Sequence, residues 1–273
     1  MSDVSSTGLS AAAAPMILSR GHQDKRITPR PDTTLWYDWP VTLVQLHLPD
    51  TFLPAPPEVA RFIVEAQSRI DSFIESRLVD PIHSFVPSDF SLVYSALRHV
   101  ADGRLACGPA FCEWGSGAGV ITCLAAMVGF DACGIEFEPD LVDLSIRLAR
   151  HYHLKATFCR GNFIPHRGQK IAEQVSEFAW LAAGGPNPYD LMDVEIDDFD
   201  VVFAYPWPGE ERVIERLFDR FASDGALLLT YNGVEGVHLF RKRSARAEAG
   251  SAYGFHQQRF SGEASDLPNR ETQ

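Results

Sequence analysis

Residues 110–139 read AFCEWGSGAGVITCLAAMVGFDACGIEFEP, and the fold of the chain follows from this stretch. A short apolar run ends at Glu113, glycine then stands at every second position of a turn, and a second apolar run ends at Glu136. The glycines are Gly115, Gly117 and Gly119. An apolar segment of helical length separates the turn from the second run. The stretch therefore predicts a strand, a glycine turn, a helix and a second strand, with a carboxylate near the end of each strand.

The glycine turn has the properties of a binding loop for a nucleoside cofactor. Glycine allows positive φ, and it lets the backbone approach a ligand that a Cβ atom would keep away. The helix that follows would point its first amides toward that ligand. A dinucleotide-binding loop of the GxGxxG type needs glycine at position 120, where this chain has Val120. A nicotinamide-dependent oxidoreductase is therefore an alternative, and Val120 argues against it.

The rest of the chain extends this unit into one large α/β domain. Apolar residues that recur at intervals of three and four predict a helix over 57–79. A second helix is expected to begin at Ser88 as N-cap, with Asp89 in its first turn, and to stop at Gly103. Further strands are predicted at 156–163, 201–206, 225–232 and, as a candidate sixth, 237–243. The predicted fold is Rossmann-like, with a doubly wound, mostly parallel sheet and an N-terminal helical addition.

Four segments are expected along the chain. Residues 1–33 read as a disordered arm, 34–104 as a strap with lid helices, 105–245 as the cofactor-binding domain and 246–273 as a flexible tail. Helices just before the first strand end beside the cofactor mouth, so Ser88, Asp89 or Phe90 are candidate contacts. The alternative is that these residues only cap a helix.

Composition excludes several classes of protein. With 24 basic and 36 acidic residues the net charge is -12, which argues against a protein that holds duplex nucleic acid by phosphate neutralisation. The five cysteines form no CxxC pair, so we expect buried free thiols and no metal site. No apolar run is long enough for a membrane span. A cytoplasmic protein is the default expectation.

Several spaced features resemble the class I S-adenosylmethionine-dependent methyltransferases over residues 111–232. The run EWGSGAG at 113–119 looks like the first motif of that family, E/DxGxGxG. The resemblance implies S-adenosylmethionine as the cofactor and a Rossmann-like fold. It implies that Glu136 accepts hydrogen bonds from both ribose hydroxyls, and that Asn162 and Phe163 lie around the adenine. The full set of expected cofactor-binding residues is Glu113, Gly115, Ser116, Gly117, Gly119, Glu136, Phe137, Asn162 and Phe163.

The acceptor side of the site is expected after the fourth strand, in AYPWPGEE at 204–211. Family members that methylate amino groups of nucleic acid bases often carry Asn or Asp followed by Pro-Pro and an aromatic residue, and here Ala204 and Tyr205 stand at the first two positions. The candidate catalytic residues are Tyr205, Trp207 and Glu210. Tyr205 and Trp207 could flank a cation, and Glu210 or Glu211 could act as a base or ammonium anchor. The alternatives are an aromatic-proline turn that only packs and a pair of solvated carboxylates at a helix start.

The predicted acceptor is a protein side chain or a small molecule, with nucleic acid disfavoured and the oligomeric state open. A weaker likeness, to small methyltransferases that modify protein lysines, rests on the proline-serine segment FVPS before the first motif. Since little chain follows Asn232, the C-terminal hairpin typical of the family is expected to be shortened, or the sheet closed by the N-terminal segment. A methyltransferase-like binding protein without transfer activity is the second functional alternative.

Overall fold

The computed structural model describes residues 42–79, 82, 85–175 and 186–243, and the described chain forms one α/β sandwich around a seven-stranded sheet. The strands are β1 Leu43–Leu46, β2 Ala110–Trp114, β3 Asp131–Glu136, β4 Ala156–Arg160, β5 Val201–Ala204, β6 Leu227–Tyr231 and β7 Val237–Lys242. The helices are α1 Pro57–Ser76, α2 Phe90–Asp102, α3 Val120–Val128, α4 Pro139–His151, α5 Gln169–Val175, α6 Pro188–Met192 and α7 Glu211–Phe221.

The strand order is β1-β7-β6-β5-β2-β3-β4. Five strands, β2 to β6, pair in parallel, and β2 lies at the centre between β3 and β5. The chain thus winds outward in one direction from β2 to β4 and then in the other from β5 to β6, which is the doubly wound order. The predicted fold class is confirmed.

The C-terminal end of the sheet is shortened and then completed from the N-terminus. Strand β7 runs antiparallel to β6, and β1 pairs antiparallel with β7 on its outer side. The N-terminal strand therefore occupies the edge that the second strand of a C-terminal hairpin would otherwise fill. This confirms the expectation that the N-terminal segment closes the sheet.

Each face of the sheet carries its own hydrophobic core. Residues of β5 alternate, because Val201 and Phe203 pack in the layer of α1 to α4 while Val202 and Ala204 pack in the layer of α5 to α7. Strand β2 alternates in the same way, with Phe111 in the first layer and Trp114 in the second. The parallel strands are buried on both sides, which explains why they read as nearly continuous apolar runs.

The two lid helices form close to where the sequence predicts them. Helix α1 begins at Pro57, and proline in its first turn has no amide proton to leave unsatisfied. The predicted N-cap of α2 at Ser88 is wrong: the cap is Asp89, whose carboxylate accepts a hydrogen bond from the amide of Leu92. Asp and Ser are equally good caps, so residue type alone does not decide between adjacent positions.

Other expectations are corrected or fall outside the described residues. The sequence does not predict α6, whose N-cap is Asn187 and whose first residue is Pro188. Cys112, Cys123 and Cys133 are buried, but Cys107 is exposed and Cys159 is half-buried, so burial holds for part of the set. The arm at 1–33 and the tail at 246–273 lie outside the described residues, and the four segment boundaries stay predictions.

We predict that Asp219 attaches the β1 edge to the domain. The carboxylate of Asp219, in α7, is buried and accepts hydrogen bonds from both the amide (2.8 Å) and the hydroxyl (2.6 Å) of Thr42. Asp219→Ala should lower the free energy of unfolding by about 2 kcal/mol, because it removes two charge-assisted hydrogen bonds. Urea denaturation followed by circular dichroism measures this, and amide exchange in β1 should accelerate. Asp224→Ala, at an exposed position, is the control, and equal effects of the two substitutions would contradict the attachment.

Candidate functional site

The glycine turn between β2 and α3 has a conformation that requires glycine at all three predicted positions. The φ angles of Gly115, Gly117 and Gly119 are +71°, +52° and +72°. Gly115 faces open space, since a Cβ atom built there would meet nothing within 4 Å. A Cβ atom on Gly119 would lie 2.5 Å from the ring of Phe158 and 2.6 Å from the Cβ of Ser145. Gly119 therefore seats the start of α3 against neighbouring side chains, whereas Gly115 leaves room for a ligand.

A cavity of about 780 Å³ opens above the carboxyl ends of the central strands. This is the crevice where ligands bind in doubly wound sheets. All the expected cofactor-binding and catalytic residues except Gly119 line it, whereas the candidate contact Asp89 and the candidate base Glu211 do not. The lining residues from the predicted set are Glu113, Gly115, Ser116, Gly117, Glu136, Phe137, Asn162, Phe163, Tyr205, Trp207 and Glu210. The structure thus brings together residues that are widely separated in the sequence.

Glu113 supports the glycine turn from beneath. Its buried carboxylate accepts hydrogen bonds from the amide (2.8 Å) and the hydroxyl (2.5 Å) of Thr122, in the first turn of α3. Burial raises the pKa of Glu113 to about 8, although the two bonds from Thr122 act in the opposite direction. The carboxylate of Glu113 therefore fixes α3 to β2 while the residue forms part of the cavity wall.

Glu136 lies at the end of β3 and holds the other side of the turn. One of its carboxylate oxygens accepts from the amide of Gly117 and the other from the amide of Glu138, each at 2.8 Å. Burial raises the pKa of Glu136, and the bonds from these backbone amides oppose that shift. Each carboxylate oxygen carries two lone pairs, so both oxygens can still accept a further hydrogen bond from a ligand in the cavity.

Ser116 leaves a polar atom unsatisfied in the same wall. Its hydroxyl oxygen is buried and has no hydrogen-bond partner in the described part of the chain. A Cβ atom on Gly134, in β3, would lie 2.7 Å from the Cβ of Ser116, so a glycine in the neighbouring strand makes space for this side chain. Buried hydroxyls in native proteins have partners, so this one is suited to a polar ligand group.

Aromatic side chains close the cavity beyond β4. The rings of Trp114 and Phe163 stack with centroids 5.4 Å apart and planes 10° apart. The side-chain oxygen of Asn162 accepts a hydrogen bond from the amide of Ile164 (2.9 Å), which orders the loop after β4. Phe137 is 47% exposed at the rim. The stacked Trp114 was missed by the sequence reasoning, which treated position 114 only as a spacer within the motif.

Tyr205, Trp207 and Glu210 form the wall beyond β5. The half-buried ring of Tyr205 packs edge-on against Tyr231, with centroids 4.8 Å apart, and burial raises the pKa of its hydroxyl. Trp207 is 42% exposed, and its amide donates to the carboxylate of Glu210 at 3.1 Å. Glu210 is only 6% exposed, and burial raises its pKa. The alternative of a solvated carboxylate at a helix start is wrong for Glu210.

The segment before α2 covers the glycine turn. A Cβ atom on Gly117 would lie 2.7 Å from the ring of Phe85, which therefore rests directly on the turn. Phe85, Ser88 and Phe90 line the cavity, while Asp89 caps α2. At the end of α1, Arg77 forms an ion pair with Asp140 at the start of α4. The sequence predicted a cover here but did not identify Phe85 as the residue in contact.

Comparison with known proteins gives weak likenesses at the level of structure. No protein-family model matches the chain, and no curated protein matches it. An RNA methyltransferase from Salinibacter ruber in complex with S-adenosyl-L-homocysteine is 20% identical, with 57% of this chain and 92% of that chain covered and a TM-score of 0.39. A methyltransferase from Geobacter sulfurreducens is 16% identical, with 70% and 92% covered and a TM-score of 0.40. An O-methyltransferase from Bacillus cereus in complex with SAH is 13% identical, with 66% and 68% covered and a TM-score of 0.40.

Strand order and loop geometry decide the fold assignment. The dinucleotide-binding Rossmann fold needs a glycine at position 120, but Val120 is the buried first residue of α3. An antiparallel strand, β7, follows β6. The chain has a Rossmann-like, doubly wound α/β fold. No described helix is long and apolar enough to cross a membrane, and no described group of three His, Cys, Asp or Glu side chains could hold a metal ion.

We predict that Gly119 matters for packing and Gly115 does not. Both have nearly the same positive φ, so alanine suffers similar backbone strain at either position, but only Gly119 faces a steric clash. Gly119→Ala should therefore reduce the free energy of unfolding by about 1–3 kcal/mol more than Gly115→Ala does. Urea unfolding of the two variants side by side measures the difference. If Gly115→Ala proved as destabilising as Gly119→Ala, the packing role of Gly119 would be wrong.

We predict that Glu113 makes the fold less stable as the pH rises. The folded state keeps the Glu113 proton up to a pKa of about 8, whereas the unfolded chain releases it near 4.5, so stability is lost between these values. Glu113→Gln carries no titrating group, so its stability relative to the wild type should improve from pH 5 to pH 8.5. Urea unfolding across this range measures the difference, with Glu75→Gln on the exposed face of α1 as the control. Parallel profiles for wild type and Glu113→Gln would contradict the buried protonated state.

Proposed function

We propose that this chain is an S-adenosylmethionine-dependent methyltransferase, in the 2.1.1 class of enzymes. The observation that carries the proposal is the position of Glu136, whose carboxylate lies at the end of β3, bonded to the glycine turn and lining the cavity. A carboxylate there can accept from two vicinal hydroxyls at once, as a ribose requires. The wall around it fits the rest of the cofactor.

The proposed cofactor contacts follow from the shape of that wall. Gly115, Ser116 and Gly117 would hold the methionine portion, since Gly115 is open to the cavity and the Ser116 hydroxyl lacks a partner within the described chain. Phe163 and Phe137 would flank the adenine with apolar surface, and Asn162 would stand at its edge. Glu113 would act indirectly, because its carboxylate is bonded to α3. When bound, the cofactor supplies an electrophilic methyl group on a sulfonium.

The residues of this chain would position the acceptor and keep water away. Tyr205, Trp207 and Glu210 lie beyond β5, on the side of the cavity where the acceptor would enter. Phe85 and Phe90 cover the other side, so a bound acceptor would be enclosed by apolar surface. Positioning and desolvation are the main requirements of methyl transfer, and a base is needed only for a protonated nucleophile. We propose a small molecule or a protein side chain as the acceptor.

We predict that the protein binds S-adenosylhomocysteine, the product form of the cofactor, and that Glu136 is essential for this binding. Glu136→Ala should weaken binding at least about tenfold, because it removes an acceptor of charge-assisted hydrogen bonds. Glu211→Ala, at the partly exposed position next to Glu210, should leave binding unchanged. Isothermal titration of the folded proteins measures both. Absence of binding by the wild type at high micromolar concentration would refute the proposed function, and equal losses in the two variants would refute the role of Glu136.

A protein that kept the fold but lost transfer activity is distinguished by a second measurement. Ala204, at the end of β5, is buried and offers no polar group to an acceptor, which is the observation in favour of that alternative. Methyl transfer from isotopically labelled S-adenosylmethionine to a panel of amines, hydroxyls, peptides and RNA would exclude it. Binding of S-adenosylhomocysteine without transfer to any member of the panel would support it.

A further inference from the structure

Glu210 is a buried carboxyl group in the wall that it forms with Tyr205 and Trp207, called the acceptor wall below, and no described residue supplies a compensating cation. It is 6% exposed and lines the cavity, and its described hydrogen bond comes from the amide of Trp207. The described charge that acts on it is that of Glu211, which is negative. Among the described residues, no lysine, arginine or histidine forms an ion pair with Glu210. A carboxylate removed from water in this way is costly unless a positive group meets it.

Closing the turn before α7 does not require Glu210 to be buried. The neighbouring Glu211 accepts a hydrogen bond from the amide of Gly209 (2.8 Å) while it remains partly exposed. A carboxylate at the start of α7 can therefore satisfy a backbone amide without losing its contact with water. The geometry of the turn therefore does not explain why Glu210 is buried.

Aromatic rings stand on the same wall as this carboxyl group. Trp207 and Tyr205 both line the cavity, and the backbone amide of Trp207 donates the 3.1 Å hydrogen bond to Glu210. The face of an aromatic ring attracts a cation, and the attraction is greater where water is excluded. A carboxylate beside two aromatic rings is the chemistry that recognises a protonated or alkylated amine.

We propose that the acceptor carries a basic amine, and that Glu210 binds its ammonium form between Tyr205 and Trp207 and takes one proton from it. This inference rests on the proposed function and narrows its substrate class to amines.

The proposed step balances in atoms and charge. The ammonium group gives one proton to the carboxylate of Glu210, which leaves a neutral amine with a lone pair. That lone pair forms the new nitrogen–carbon bond as the carbon–sulfur bond breaks, and the electrons of the broken bond stay on sulfur. The product is a methylated ammonium ion, and Glu210 releases its proton to solvent afterwards. The raised pKa of Glu210 suits it to accept a proton here, since a carboxyl group of ordinary pKa is a weaker base.

The test compares amines with uncharged molecules of the same skeleton. Phenethylamine and 2-phenylethanol, 3-phenylpropylamine and 3-phenylpropanol, and hexylamine and hexanol are titrated calorimetrically into full-length protein saturated with S-adenosylhomocysteine at pH 7. We expect at least one amine to bind about tenfold or more tightly than its alcohol, because the ammonium meets a desolvated carboxylate. Benzyltrimethylammonium, which has no proton to give, should bind as well and report charge recognition separately from proton transfer.

Two variants show which residue is responsible. Glu210→Gln keeps an oxygen for the amide of Trp207 and removes the charge, so it should lose the preference for the amine and retain the affinity for the alcohol. Glu211→Gln should leave both affinities unchanged. A binding preference that survives in Glu210→Gln, or the absence of any amine preference across the panel, would overturn the inference.

Failure of this inference differs from failure of the proposed function. S-adenosylhomocysteine binding is titrated first in the wild type and in both variants. A protein that binds S-adenosylhomocysteine but does not distinguish amines from alcohols keeps its proposed function and refutes the amine acceptor. A protein that fails to bind S-adenosylhomocysteine refutes both.

Discussion

The hydrogen bond between the amide of Gly117 and the carboxylate of Glu136 is the contact on which the site depends. It joins the turn after β2 to the end of β3, and so it connects two neighbouring parallel strands at the edge where ligands bind. Glu113 acts on the same turn from the other end, through Thr122 in α3. The turn is thus held between two carboxylates, and three positive φ angles allow it to pass between them. The loop can offer a fixed concave surface because each end is fastened to a strand or helix that the core already holds.

Much of this arrangement could be predicted from the sequence, because a local pattern marks the glycine turn and the end of each strand. Alternating glycines between two apolar runs specify a turn that needs positive φ, and a parallel sheet brings the ends of its strands to one edge. Glu113, Glu136 and Asn162 could be placed at strand ends for that reason. The same pattern could not distinguish Gly119, which serves packing, from Gly115, which leaves the cavity open. That difference is set by Phe158 and Ser145, which lie far from the turn in the sequence.

The sequence could not predict which side chains become buried when distant parts of the chain pack together. Glu210 and Glu211 are adjacent carboxylates at the start of one helix, and their difference arises only when α7 packs against the sheet and turns one of them into the cavity. Phe85 is one apolar residue in a short proline-containing segment without periodicity, so its contact with Gly117 follows from the path of the chain between α1 and α2. Trp114 is similar, because its stacking on Phe163 depends on which face of β2 it occupies.

The charge distribution of the cavity sets what it can bind. Glu113, Glu136 and Glu210 all line it, and burial raises the pKa of each. Arg77 is the basic residue that lines the described cavity, and it is already paired with Asp140. Glu113 keeps its proton up to a pKa of about 8, whereas an ionised carboxylate of Glu136 or Glu210 repels anions and favours cations, since the interaction of charges strengthens where water is excluded. A sulfonium cofactor and an ammonium acceptor are both cations, so one electrostatic property of the site would serve both ligands.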